Sequence, residues 1–241
     1  MFLHFTEDSY EKALIGLFQS MGYEYAYGPD IERNYHEPYH LNQVWASLPI
    51  VNPSKHQNAI AEAIKKLTNI DSGDLAQKNG IFMDYLQNGI PVAYHDGKEI
   101  RHDIVYLIDY ENTHRNTFQI INQWTYVEKS EKRADLIVFV NGLPLVLVEL
   151  KSPSREETDA SAAYRQIKNY MFEIPSMFTY NAFCVMSDMM CSKAGTITSS
   201  EDRFMEWKTK DGSYESTQYA DYDTFFEGIF PKDRLLDIIK N

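Results

Sequence analysis

The chain has 241 residues, 44% of them hydrophobic, and carries a formal net charge of −12. That length suits one large domain, or one with an appendage, at roughly 150 residues per domain, and it holds enough apolar side chain for a sizeable core. The acidic balance excludes a basic footprint over the whole surface, and two cysteines, Cys184 and Cys191, exclude a disulfide framework and match no zinc spacing. No apolar run reaches transmembrane length, and the first residues lack a basic segment and a cleavage site, so a cytoplasmic location is expected.

Residues 6 to 21 read as a helix. Thr6 can cap it, Glu7 and Asp8 suit its first turn, and Gly22 can end it. Tyr10, Leu14, Phe18 and Met21 form its apolar stripe, and Glu7 and Glu11 lie one turn apart on one face. Tyr23 to Pro38 reads as an aromatic loop, and 39 to 48 as a short helix. Asn52-Pro53 is expected to open a helix running to Leu67, with Ala59, Ile60, Ala63 and Ile64 buried. A further helix follows Asp71 to Asp74 and ends at Asn88-Gly89.

From Ile90 the pattern turns to strands. Pro91 to Tyr94 and Ile100 to Tyr110 flank Asp96-Gly97, and Phe118 to Glu128 is another strand. Glu128 to Arg133 reads as a charged turn, in which Lys132 and Arg133 are candidates to meet a phosphate. After Lys151, Ser152-Pro153 is expected to stop a strand. Glu156 to Phe172 is then a helix with Ala160, Ala163, Tyr164, Ile167 and Met171 on its core side, ended by Pro175. Ala182 to Ser187, Gly195 to Thr198 and Arg203 to Lys208 are short strand candidates; Met189 and Met190 read as packing, and Lys232 to Lys240 as an amphipathic piece. The seven histidines show no metal-binding or triad spacing.

The stretch Ala134 to Lys151 carries the chemistry. Two runs rich in Val, Leu and Ile flank Asn141-Gly142, a strong hairpin signal, and runs of this kind are usually buried on both faces. Asp135, Glu149 and Lys151 converge at the open end. Unpaired charges in a buried sheet are expensive, and a divalent cation would explain them. Glu149 and Lys151 share a face. A strict two-residue loop would send Asp135 to the opposite face, against Val148. A three-residue loop, a bulge, or a bend before the strand would bring Asp135 and Glu149 together.

Asp, a spacer and Glu-x-Lys on a hydrophobic hairpin resembles the core of PD-(D/E)xK nucleases, with Ala134-Asp135 where Pro-Asp is usual. The stretches "FTEDSYEKALIGLFQSMGYEY", "NGIPVAYHDGKEIRHDIVYLIDYENTHRNTFQIINQWTYVE", "NGLPLVLVELKSP", "AYRQIKNYMFEIPSMFTYN" and "SDMMCSKAGTITSSEDRFMEWK" resemble, in order, the N-terminal nuclease region of the R (restriction, motor) subunit of Type I restriction-modification enzymes. The resemblance implies an α/β fold, a restriction-endonuclease-like mixed sheet of about five strands flanked by helices. It implies a nuclease domain over 1–210, with 211–241 as an extension leading toward a helicase motor outside this chain.

It also implies double-stranded DNA cleavage with Mg²⁺ as cofactor. Asp135 and Glu149 and the Leu150 carbonyl would be ligands, Glu11 an extra carboxylate, and Lys151 the residue that orients or deprotonates water or offsets charge. Gln166 and Tyr170, four apart on one helix, resemble the accessory Gln-x-x-x-Tyr motif. Partners implied are the C-terminal helicase domains and the methyltransferase and specificity subunits. ATP belongs to the full-length subunit, since no Gly-x-x-x-x-Gly-Lys-Ser/Thr occurs here. A second reading, for which the acidic balance and the missing motor speak, is a nuclease-like docking module between the motor and its partner subunits; a third, disfavoured by the long resemblance to R subunits, is a stand-alone repair or junction nuclease.

Overall fold

The computed structural model describes residues 6–71, 73–151, 160–188, 190–213 and 222–241. Helix α1 (Glu7–Ser20) starts at Thr6, whose side chain accepts from the Ser9 N–H while Ser9 reaches back in a capping box. The apolar stripe read from the sequence is buried at Tyr10, Leu14 and Phe18. Strand β1 (Glu24–Tyr27) follows inside the stretch expected to be loop. With four residues it is too short to register as a period. Helices α2 (Leu41–Val51), α3 (Gln57–Thr68) and α4 (Leu75–Asn88) come next.

Asn52 closes α2 instead of opening α3. Its amide donates to Leu48 O and Tyr106 O and its oxygen accepts from the Tyr106 N–H, so the side chain is committed to tying two segments together. Helix α3 is capped by His56 Nδ1. Asp74 caps α4, and Gly89 ends it at φ +81. The expected hairpin at Asp96-Gly97 forms as β2 (Ile90–His95) and β3 (Ile100–Val105), and it stands as a separate two-stranded sheet.

The main sheet contains β1, β4 (Phe118–Val127), β5 (Glu131–Val140), β6 (Leu143–Leu150), β7 (Phe183–Ser187) and β8 (Ser192–Gly195), in the order β1-β4-β5-β6-β7-β8. β1 runs parallel to β4 and β6 parallel to β7, and the other neighbours are antiparallel. The mixed sheet therefore has six strands where about five were expected. Helices α5 (Ala160–Glu173) and α6 (Pro175–Thr179) cross from β6 to β7. The expected stop at Ser152-Pro153, the helix start from Glu156 to Asp159, the Ala160 side chain and Met189 lie outside what is described.

Both faces of the central strands are covered, as their apolar runs require. Leu136, Val138 and Val140 enter one core with α1, α3 and α4, and Ile137 and Phe139 enter a second core with Ala163 and Ile167 of α5. Helices α7 (Tyr222–Ile229) and α8 (Lys232–Lys240) belong to the first core through Phe225, Phe226, Leu235 and Ile239. Three expectations near the end of the chain are corrected. Strand β8 ends where one was expected to begin, at Gly195, because the chain turns there, the Ser199 N–H donating to Thr196 O. Of Arg203 to Lys208, Met205 alone bridges to Ala194. Met190 is exposed, not packed. No helix among the described residues is long and apolar enough to cross a membrane.

Candidate metal and nuclease site

The β5–β6 hairpin turns at Asn141-Gly142, both at positive φ, as a two-residue type I′ connection needs. Asn141 holds the turn, donating to Leu107 O and to Asn116 Oδ1. Val140 pairs with Leu143 and Phe139 with Pro144, but Val138 pairs with Val146, so one extra residue, Leu145, is bulged out. Beyond the bulge Leu136 pairs with Val148. Continued by one residue, that register sets Asp135 opposite Glu149. The slip required to bring the two carboxylates together is thus a bulge beside a two-residue turn.

Asp135 Oδ2 accepts the Leu150 N–H at 2.9 Å. Glu149 is only 2% exposed, and its Oε1 takes the Lys151 ammonium at 2.6 Å. The same ammonium donates to the Leu150 carbonyl at 2.8 Å, and the Lys151 N–H donates to Ser187 O on β7. Glu149 Oε2 is buried with no hydrogen-bond partner. Burial pushes the Asp135 carboxyl up to about 6, against the Leu150 N–H and Lys151, with Glu7 and Glu11 adding repulsion. Burial, then Asp135, pushes Glu149 up to about 8 against the pull of Lys151. For Lys151, burial works against the charge, but Glu149 and Asp135 outweigh it and hold the ammonium above its ordinary value.

Helix α5 brings Tyr170 and Gln166 over the same face. Tyr170 Oη donates to Arg133 O at 3.1 Å, and Gln166 hydrogen-bonds Tyr170. Lys132 and Arg133 are not in a turn. They lie within β5, opposite Tyr126 and Thr125, because pairing with β4 extends to Glu131. Glu11 is held by two amides, Asn122 Nδ2 at 2.7 Å and Gln123 Nε2 at 2.8 Å. Glu7 acts on Asp135, Glu149, Lys151 and Tyr170 through its charge, so the first turn of α1 also faces this cluster. By sequence Glu7 reads only as a first-turn residue one turn from Glu11, since an acidic residue there already serves the helix dipole. Nor does a glutamine in a strand announce the positive φ of Gln123, +54°.

The donors fit a small hard cation. All are oxygens, one is a buried carboxylate oxygen without a partner, and both carboxyls are held at raised values by burial and repulsion that a cation would relieve. Among the described residues no three His, Cys, Asp or Glu side chains gather to hold a metal. The protein would supply two carboxylates and a carbonyl and leave the remaining positions to water, which is the habit of Mg²⁺.

A mixed sheet covered by helices on both faces, with Asp and Glu-x-Lys on its central hairpin, defines a restriction-endonuclease-like α/β domain. Residues 4–203 match the family model described as Type I restriction enzyme R protein N terminus, and the chain belongs to that family. It is 32% identical over 254 residues to the Type I restriction enzyme HindI endonuclease subunit of Haemophilus influenzae, covering 98% of this chain and 24% of that one. It is 30% identical over 258 residues to the putative type I restriction enzyme MjaIXP endonuclease subunit of Methanocaldococcus jannaschii, covering 96% of this chain and 25% of that one. The chain spans about a quarter of the length of these relatives.

Proposed function

We propose that this chain is the Mg²⁺-dependent endonuclease module of a Type I restriction R subunit, hydrolysing phosphodiester bonds of double-stranded DNA. The observation that carries the reading is the pair Asp135 and Glu149, brought to one face by the Leu145 bulge, with Glu149 Oε2 buried and unpartnered. The names of the relatives, endonuclease subunits of Type I enzymes, support it.

Asp135, Glu149 and the Leu150 carbonyl would hold the metal, which when bound supplies Lewis acidity toward the scissile phosphate and an activated water. Lys151, whose ammonium lies 2.6 Å from Glu149 Oε1, would orient or deprotonate the attacking water or offset developing charge. Tyr170, buried and donating to Arg133 O, and Gln166, its hydrogen-bond partner, would order β5 beside Asp135. Lys132 and Arg133, at the open end of β5, are the candidate phosphate contacts. With a net charge of −12, much of the DNA grip would come from elsewhere in the assembly. ATP-driven translocation, the methyltransferase and specificity subunits and the helicase domains belong to the rest of the assembly.

The test is cleavage of supercoiled plasmid by this chain at low salt with Mg²⁺ or Mn²⁺. Cleavage by the wild type and its loss in Asp135→Ala, Glu149→Ala and Lys151→Ala supports the reading. Cleavage that survives all three substitutions contradicts it. No cleavage by wild type, with metal binding intact, favours the docking module.

A further inference from the structure

Gln123 has φ +54° inside β4, a conformation that glycine alone adopts without cost. Its neighbours stay in register, Asn122 with Leu136 and Trp124 with Ala134, but Gln123 and the residue facing it, Asp135, form no ladder pair. The reversal exchanges the faces of the strand. Phe118 and Ile120 enter the core that contains α1, whereas Trp124 and Tyr126, of the same parity, enter the core that contains α5. It also turns two consecutive side chains toward α1, where Asn122 Nδ2 and Gln123 Nε2 donate to the two oxygens of Glu11 at 2.7 and 2.8 Å. Gly28 lies against the same kink. A Cβ there would stand 2.7 Å from Asn122 O and 2.9 Å from Gln123 O, so glycine permits the approach.

Backbone strain of this kind persists where the surroundings over-determine it, and it gathers at functional sites. We propose that Glu11, Asn122 and Gln123 form a clamp that holds the kink in β4 and so aims Asp135 at Glu149, with Glu11 a positioning residue rather than a metal ligand. Both Glu11 oxygens are engaged by amides, and a ligand role would require giving those bonds up. Release of the clamp lets β4 relax toward an ordinary ladder at Gln123–Asp135 and draws Asp135 away from its partner. The inference rests on the reading of Asp135 and Glu149 as a metal site.

The experiment is Mg²⁺ titration calorimetry on four folded proteins: wild type, Glu11→Met, Gln123→Gly and the double variant. Methionine at 11 keeps the length but offers no oxygen to either amide. Glycine at 123 takes the positive φ without strain and needs no clamp. Loss of the Glu11 charge acts alike in both backgrounds, so only the difference between backgrounds reports the clamp. Expected is a loss of affinity of about tenfold for Glu11→Met beside Gln123, and of about twofold or less beside glycine. Equal losses in both backgrounds would make Glu11 a ligand or a remote charge and overturn the clamp, as would no loss in either. Failure of the wild type to bind Mg²⁺ would overturn the metal reading and the clamp together, and it is recognised by appearing in the unsubstituted protein.

Discussion

Glu149 keeps one oxygen on Lys151 and the other on nothing, in a place where water does not reach it. Burial without full pairing is costly, and that cost has a pH signature. The folded values of Asp135 and Glu149, about 6 and about 8, lie above the ordinary 3.8 and 4.5, so the folded protein holds protons that the unfolded chain releases. The stability this pair contributes is fully present below about pH 4 and is lost as the pH rises through 6 and then 8. Asp135→Asn removes one buried charge and keeps an oxygen for the Leu150 N–H. It is expected to raise the unfolding free energy by ~1–3 kcal/mol at pH 8, and not at pH 4, since a pKa unit is worth about 1.4 kcal/mol. Urea unfolding at the two pH values without divalent metal measures it, and a gain of equal size at both would locate the effect elsewhere. The same protons must leave when a metal binds, so Mg²⁺ binding at pH 7 is expected to release protons, read from calorimetry in buffers of different ionisation enthalpy.

At the scale of elements, the hairpin shows what a sequence can and cannot announce. Asn141-Gly142 announced the turn, and the apolar runs announced burial on both faces. The bulge at Leu145 has no composition of its own and was legible only as a requirement, because without it Asp135 would face Val148. The α1 cap and stripe, the Asp96-Gly97 hairpin and the Gln166–Tyr170 pair on one helix were legible for the same reason: each rests on local spacing. Strand β1, the helix α7 and the kink at Gln123 were not, because they depend on contacts distant in sequence. Asn52-Pro53 misled because an excellent local cap was outbid by Tyr106. The turn itself is tightly held, since a Cβ at Gly142 would stand 2.7 Å from His40 O and from Val44 N, at φ +83°. Gly142→Ala is therefore expected to cost ~2 kcal/mol or more by strain and overpacking. A thermal midpoint unchanged from wild type would show that α2 yields to the turn.

For the molecule as a whole, the family match ends at 203, yet α7 and α8 fill the core beside α1. Phe226 and Phe230 both pack edge-on against Phe18, and the Tyr23 hydroxyl donates to Phe230 O. A chain cut after residue 210 removes these buried aromatics and is expected to lose cooperative unfolding, as followed by near-ultraviolet circular dichroism. A sharp transition near that of the intact chain would mean that the first core stands without them. With a net charge of −12, the chain alone is expected to associate weakly with DNA, as read from binding at low salt.

The central claim is that Asp135 and Glu149 share a metal ion. Titration calorimetry with Mg²⁺, on wild type beside folded Asp135→Ala and Glu149→Ala, tests it most directly. Binding by the wild type that is lost in both variants is the expected result. Binding that is unchanged in either variant, or absent from the wild type even with DNA present, would contradict the claim.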